Sequence, residues 1–181
     1  MEHFSKVADM DVSELQSTIE EFSERFGELP LRTSYEGSSH TEVEDILFRG
    51  PDLWIGYDLL QLQNEIQCYS YPNWFDIETV AWYAMEVFKG VEGTQLGRVI
   101  VTRLPAGGKI YEHKDEGDAA EHYDRFHLVI KGGEGDIFHS GGESVTMNTG
   151  ELWQVDNMNN HSVENNMTEE RVHMVLDIQR N

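Results

Sequence analysis

The sequence predicts a mainly β protein, a sandwich or jelly roll with helices covering one outer face. Two helical periods fall within residues 1–90, and from Gly97 onward the texture changes to many short strands separated by turn residues. A chain of 181 residues with 39% hydrophobic and 10% aromatic content is long enough for one core, so residues 1–181 are read as one domain, with its β core at 97–181.

The elements follow from local pattern. Val12, Leu15, Ile19, Phe22 and Phe26 recur at helical spacing, and Gly27 is expected to end that helix. Asp11 and Glu14 fit a capping box, and Met10 with Leu15 fits a hydrophobic staple. The stretch from Leu29 to Gly50 is polar and turn-rich, with one strand expected at Asp45–Arg49. Leu53–Ile55 and Leu59–Leu62 are apolar but of mixed period, and assign no element. A second helix is expected at Asp76–Phe88, where Ile77, Val80, Ala81, Ala84, Val87 and Phe88 share a face. Strands are then expected at Arg98–Leu104, Lys109–His113, Arg125–Lys131, Ser144–Asn148, Leu152–Val155, His161–Glu164 and Arg171–Ile178. Clusters at Ala106–Gly108, Gly132–Gly135, Gly141–Gly142 and Asp156–Asn160 separate them.

Composition narrows the function classes. With 13 basic and 34 acidic residues the net charge is −21. Such a surface repels nucleic-acid phosphates and anionic membranes, so neither is an expected partner. No apolar run approaches membrane-spanning length, and MEHFSKVADMD lacks the apolar stretch of a signal peptide. Cys68 is the single cysteine, which excludes an intrachain disulfide and fits a reduced, cytoplasmic protein with a buried thiol.

Against that acidic background a few residues stand out. His113 and Asp115 are two apart at a strand end, where alternate side chains reach the same side. With the distant His161 they supply two imidazoles and one carboxylate, the 2-His-1-carboxylate set that leaves open positions on a non-haem Fe(II). Arg125 and His127 lie on one face of RFHLVIKG, opposite Phe126, Leu128 and Ile130. Arg171, His173 and Val175 share one face of RVHMVLDI, opposite Val172, Met174 and Leu176. An arginine inside an apolar strand needs a partner, which a structural carboxylate or a ligand carboxylate can supply bidentately. A ferrous centre beside two such arginines points to oxygenation that uses an acidic co-substrate, 2-oxoglutarate.

LPAGGKIYEHKD, DRFHLVIKG, GELWQVDNMNNHSVENN and ERVHMVLDIQR, within Thr102–Arg180, resemble in order and spacing the aspartyl/asparaginyl β-hydroxylase family of Fe(II)/2-oxoglutarate dioxygenases, which includes L-proline cis-4-hydroxylase-like enzymes. The resemblance implies a double-stranded β-helix, a cupin-like jelly roll, with the helices packed on one sheet. It implies His113, Asp115 and His161 as iron ligands, Arg171 as partner of the distal 2-oxoglutarate carboxylate, and Arg125 with His127 at the carboxylate end near iron. Thr102 is implied to add a hydroxyl to that pocket, and Asn165 to support the second histidine. The acidic turn of the family is usually richer in Asp than Val155-Asp156-Asn157. Trp153, Asp156, Asn157, Asn159 and His40 are candidate rim residues, with core packing or turn chemistry as their plainer roles.

The implied reaction consumes O2 and 2-oxoglutarate and hydroxylates an amino acid or an amino-acid residue of a peptide or protein. Two rivals remain at this level. One is a cupin-type metalloenzyme that does not use 2-oxoglutarate; the other is a non-catalytic 2-oxoglutarate or metal-binding protein. The first would more often show His-x-His, which this chain lacks.

Overall fold

The computed structural model describes residues 1–53 and 63–181. Apart from Leu53, the apolar runs Leu53–Ile55 and Leu59–Leu62 lie outside the described residues. In chain order the described elements are β1 (Phe4–Asp9), α1 (Ser13–Glu21), β2 (Glu44–Gly50), β3 (Tyr69–Ser70), α2 (Pro72–Asp76) and α3 (Glu78–Gly90). There follow β4 (Gln95–Leu104), β5 (Lys109–His113), α4 (Asp118–His122), β6 (Asp124–Lys131), β7 (Asp136–Ser140), β8 (Glu143–Thr146), β9 (Glu151–Val155), β10 (His161–Asn165) and β11 (Arg171–Gln179).

Among the described residues the strands form two antiparallel sheets. One has seven strands in the order β1-β9-β6-β11-β4-β2-β3; the other has four, β5-β10-β7-β8. This is the jelly roll the strand pattern predicts. Strand alternation builds two cores on opposite faces of the large sheet. On the outer face Phe126, Leu128 and Ile130 of β6 join Val172, Met174 and Leu176 of β11, and Leu15, Ile19, Val80, Ala84 and Val87 of α1 and α3 cover them. On the inner face Leu104, Val129, Trp153 and Val155 meet Ile110, Phe138, Val145 and Val163 of the small sheet. Both faces of β11 are covered, which accounts for its unbroken burial from Arg171 to Ile178.

Several expectations need correction. The first helix ends at Glu21; a 3-10 turn at Ser23–Arg25 follows and still delivers Phe26 to the outer core. Gly27 takes φ +78°, a conformation glycine adopts without strain. Asp11 accepts the Ser13 N–H at 3.0 Å, so it closes a short turn, and no side-chain cap forms at the helix start. The second helical region is two helices, and Tyr83 joins its buried face. Pattern reading missed β1 and β7. β1 is an edge strand whose middle residues are mostly exposed and whose register shifts between Lys6 and Ala8, so it shows no alternation. β7 is five residues long between the clusters Gly132–Gly135 and Gly141–Gly142, and of its buried residues Asp136, Phe138 and Ser140 only one is apolar, so it shows no apolar alternation. Cys68 is buried and free, and burial pushes its thiol up to about 11. Among the described residues no helix is long and apolar enough to cross a membrane.

Candidate metal and anion site

The antiparallel register of the small sheet brings the two histidines together. His113 ends β5, His161 begins β10, and the two are directly opposite. Their rings lie 4.3 Å apart between centroids. Each ring is held in the same way: His113 Nδ1 lies 2.7 Å from the Tyr111 carbonyl, and His161 Nδ1 lies 2.9 Å from the Asn159 carbonyl. A ring nitrogen facing a carbonyl must carry the proton, which leaves Nε2 of both rings as the lone-pair donors.

Asp115 follows β5 in a loop pinned to the turn before β10. Its N–H donates to the Asn157 carbonyl at 3.0 Å, and its carboxylate accepts from Asn157 Nδ2 at 3.0 Å and from Arg125. One ligand atom from each of His113, Asp115 and His161 lies within 4.8 Å of the others. Burial alone would raise the Asp115 carboxyl, but Arg125, His161 and the Asn157 hydrogen bond overcome it and hold the group well below the usual carboxylate range. Burial lowers His161. An ionised Asp115 carboxylate beside a His161 ring that burial keeps from protonating favours a divalent cation. Two imidazoles and one carboxylate, converging with their outer nitrogens already bonded, fit Fe(II).

The arginines sit on the inner face of the large sheet. Arg125 Nε and Nη2 donate to Asp177 at 2.8 and 3.1 Å, and Nη1 donates to Asp115, so this guanidinium bridges the metal ligand and β11. Arg171 is 1% exposed. Its Nε donates to Asp136 at 2.7 Å, its Nη2 reaches His173 Nδ1 at 2.9 Å, and His173 Nε2 reaches Asp136 at 2.8 Å. Nη1 has no hydrogen-bond partner among the described residues, and Arg171 lines a cleft shared with His113, His161, His127 and Thr102. Burial, then His173 and Arg171, push His127 well below its ordinary value; burial and Arg171 push His173 down to about 4.

The cleft measures about 30 Å³, room for one or two waters. It opens beside a larger cavity of about 400 Å³ that touches His113, Asp115 and Arg125. Arg32 stands at the junction, forked onto Asp45 at 2.8 and 2.6 Å, with Nη2 3.3 Å from the Thr102 hydroxyl. His40 packs edge-on against His113 at 4.7 Å between centroids, and burial with Arg32 pushes it down to about 2.

The structure therefore gathers His113, Asp115, His161, Arg125, His127, Thr102, Arg171, Asn157 and His40 in one region. The other expected residues lie elsewhere. Trp153 is packed in the inter-sheet core with Phe138 and has its indole N–H on Glu151, because its strand face is the inner one, opposite His127 of β6. Asp156 bonds His3, Asn159 and the Met158 N–H, and Asn159 Nδ2 is spent on Asp156; both organise the turn before β10. Asn165 is fully buried and donates to the carbonyls of Leu104, Pro105 and Glu169, so its amide fastens the turns beside Arg171 and is bonded there and not to His161. Sequence reasoning missed Asp136, Asp177 and Arg32. For Asp177 a signal existed, a lone carboxylate inside VLDI; Asp136 and Arg32 sit in glycine-rich and turn-rich stretches that give none.

A family model described as aspartyl/asparaginyl beta-hydroxylase matches residues 79–181, more than half of the chain. No curated protein matches. Among solved structures, an oxidoreductase of the 2OG-Fe(II) oxygenase family from Burkholderia pseudomallei is 13% identical over 77% of this chain and 67% of its own, with a TM-score of 0.54, and shares the fold. A predicted oxalate decarboxylase from Thermotoga maritima is 20% identical over 52% of this chain and 73% of its own, with a TM-score of 0.39. A cupin domain from Bordetella pertussis is 19% identical over 48% and 85%, with a TM-score of 0.38.

Proposed function

The chain belongs to the aspartyl/asparaginyl beta-hydroxylase family, and from that premise we propose that it is an Fe(II)- and 2-oxoglutarate-dependent dioxygenase. It hydroxylates an unactivated C–H of an amino acid or amino-acid residue and releases succinate and CO2. The observation that carries this reading is the pair of imidazoles whose Nδ1 atoms each face the backbone carbonyl two residues earlier while Asp115 closes the third corner of the set. His113, Asp115 and His161 would hold the iron, which when bound supplies the O2 chemistry that side chains lack.

The remaining residues bind, orient and exclude water. Arg171 carries a positive charge into the cleft that ends beside both histidines, with Nη1 left to meet the distal carboxylate of the co-substrate. Asp136 and His173 fix that guanidinium from behind, so it is already oriented before a ligand arrives. Arg125 stands where a carboxylate next to the metal would lie. Asn157 holds the Asp115 carboxylate in place through one hydrogen bond from the side chain and one to the backbone. A five-carbon diacid exceeds the present cleft, so its binding moves side chains at the mouth, where Arg32, His40 and Arg125 stand. A small amino acid or a short peptide segment fits the adjoining cavity of about 400 Å³.

Anaerobic titration of the apoprotein with Fe(II) and then 2-oxoglutarate tests this without a substrate. The expected result is a visible metal-to-ligand charge-transfer band in the wild type. In Arg171→Ala the band should need about 10- to 100-fold more 2-oxoglutarate, the range for a lost charge-assisted contact. Bound iron with no band would support a cupin-type metalloenzyme instead. A band without any succinate formed in air would support a sensor.

A further inference from the structure

The turn Asp156–Asn160, between β9 and β10, aims two residues of the metal set. The Asn157 carbonyl accepts the Asp115 N–H at 3.0 Å, and the Asn159 carbonyl faces His161 Nδ1 at 2.9 Å. Asn157 Nδ2 adds a bond to the Asp115 carboxylate at 3.0 Å. His113 is independent of this turn, because its ring is oriented by the Tyr111 carbonyl within β5. Whatever fixes the turn therefore fixes Asp115 and His161 together.

His3, just ahead of β1, grips the turn from outside. Phe4 is buried against Phe138 between the sheets, and its pairing with Val155 sets His3 beside Asp156. The Asp156 N–H donates to the His3 carbonyl at 3.0 Å. His3 Nδ1 lies 3.2 Å from Asp156 Oδ2, which also accepts from Asn159 Nδ2 at 2.6 Å. Facing that carboxylate, Nδ1 carries the proton. The other side of His3 is held by the turn between β7 and β8. There the Glu143 carboxylate accepts the N–H groups of Glu2 and His3 at 2.9 and 3.1 Å, and the imidazole lies on Gly141, where a Cβ would collide with Nε2. The Gly141 N–H donates to the Asn160 carbonyl at 3.2 Å, and the Ser140 hydroxyl donates to the Asp156 carbonyl at 3.1 Å. The His3 side chain, 14% exposed, is thus wedged between two turns that are also bonded to each other.

Resting on the metal assignment of the dioxygenase reading, we propose that His3 is a positioning residue for the metal set. Its imidazole clamps the turn Asp156–Asn160 through Asp156, and the turn delivers Asp115 and His161 to the cation. Without the ring, Asp156 loses one of its donors and the Asn157 and Asn159 carbonyls are free to drift. Ligands held out of place bind a cation more weakly. Gly141 belongs to the same device, because a larger residue there leaves no room for the imidazole.

The test measures Fe(II) affinity of the full chain by anaerobic equilibrium dialysis, with Co(II) in its place as a coloured probe of ligand geometry. His3→Ala should weaken Fe(II) binding about 10-fold, the low end for groups that orient ligands, and shift the Co(II) d–d bands. His3→Asn, whose Nδ2 stands where the imidazole Nδ1 stood, should restore most of both. Gly141→Ala should match His3→Ala, because its methyl group displaces the ring. Gly142→Ala is the control. Its φ of +84° is left-handed like the +57° of Gly141, but nothing lies within 4 Å of its Cβ, so it should cost stability and leave the metal alone. Wild-type affinity and Co(II) bands in His3→Ala, no recovery in His3→Asn, or a Gly142→Ala protein as weak as Gly141→Ala would overturn the proposal. Thermal melts of the metal-free proteins show that each variant is folded. If the wild type binds no divalent cation, the metal assignment has failed by itself. Hydrogen exchange of the Asp115 amide in the metal-free protein then decides whether His3 holds the turn. Faster exchange in His3→Ala, restored in His3→Asn, supports it, and unchanged exchange overturns it.

Discussion

On the helix-covered face of the seven-stranded sheet, β6 and β11 present Phe126, Leu128, Ile130, Val172, Met174 and Leu176. On the face turned toward the small sheet the alternate residues of the same strands include, beside Val129 and Val175, the polar set Arg125, His127, Arg171, His173 and Asp177. Both sets are largely buried, yet their energetics differ. The outer set gains from leaving water and needs only shape. The inner set loses hydration on burial and is tolerable only because each charge or imidazole meets a partner, as Arg171, Asp136 and His173 meet one another. Among the described residues every side-chain nitrogen or oxygen wholly shut off from solvent has a partner, and Arg171 Nη1, which has none, is therefore open to the cleft. A period of two thus lets one strand contribute cohesion through one face and chemistry through the other.

The sharpest separation is expected at His161. His161→Ala should remove Fe(II) binding altogether, read by equilibrium dialysis, while the apoprotein keeps its fold; full iron loading in that variant would dismiss the metal assignment. Phe126→Ala, on the other face and completely buried, should do the reverse. It should cost about 3–5 kcal/mol in urea unfolding and leave the Fe(II) affinity of the folded fraction alone. A Phe126→Ala protein that is stable but has lost iron would mean that the two faces are not energetically separate.

Asp136 is where the comparison should break. It lies on the small sheet, is fully buried, and neutralises Arg171. Burial would raise its carboxyl, but Arg171 and His173 prevail and lower it. Asp136→Ala strands a buried guanidinium, so a site-facing residue should cost as much stability as a core one, about 3–5 kcal/mol. It should also weaken 2-oxoglutarate binding through Arg171, so that more of the co-substrate is needed. A melting temperature equal to wild type would show that water replaces the carboxylate.

How much of this was legible beforehand follows the same division. Period-two runs disclosed β4, β5, β6, β9, β10 and β11 to within a few residues, because apolar faces write alternation into the sequence. β1 wrote none, being a mostly exposed edge. His113, Asp115 and His161 were legible as residue types at a spacing, and the β5–β10 register is what makes them one site. Which groups pair as ions was not legible, even where a lone carboxylate such as Asp177 stood out in an apolar strand. Arg125 and Asp177 face each other through a pairing of two distant strands, Asp136 reaches Arg171 across the two sheets, and nothing local marks either relation. Asn165 misled for the complementary reason: its position matched a role at the metal, while its amide is fully used on the Leu104, Pro105 and Glu169 carbonyls.

The smallest effect expected is on acid stability, and it too divides the faces. His173 has its folded value pushed down to about 4 by burial, from an ordinary 6.5. His127 and His161 are lowered as well, burial being the first cause in each. In the metal-free protein the unfolded chain therefore binds protons below pH 6.5 that the folded chain refuses until about pH 4, and stability falls as pH falls across that window. His173 alone contributes on the order of 3 kcal/mol over the window. The lowered carboxyls of Asp115 and Asp136 add their losses only below the ordinary value of 3.8. Urea unfolding of the apoprotein between pH 7 and 4 should show the slope, and Leu128→Ala should shift the whole curve down without changing it, because the outer face carries no titrating group among these residues. A flat profile across the window would mean that the inner-face histidines take up protons while folded, and that this face is far wetter than its packing shows.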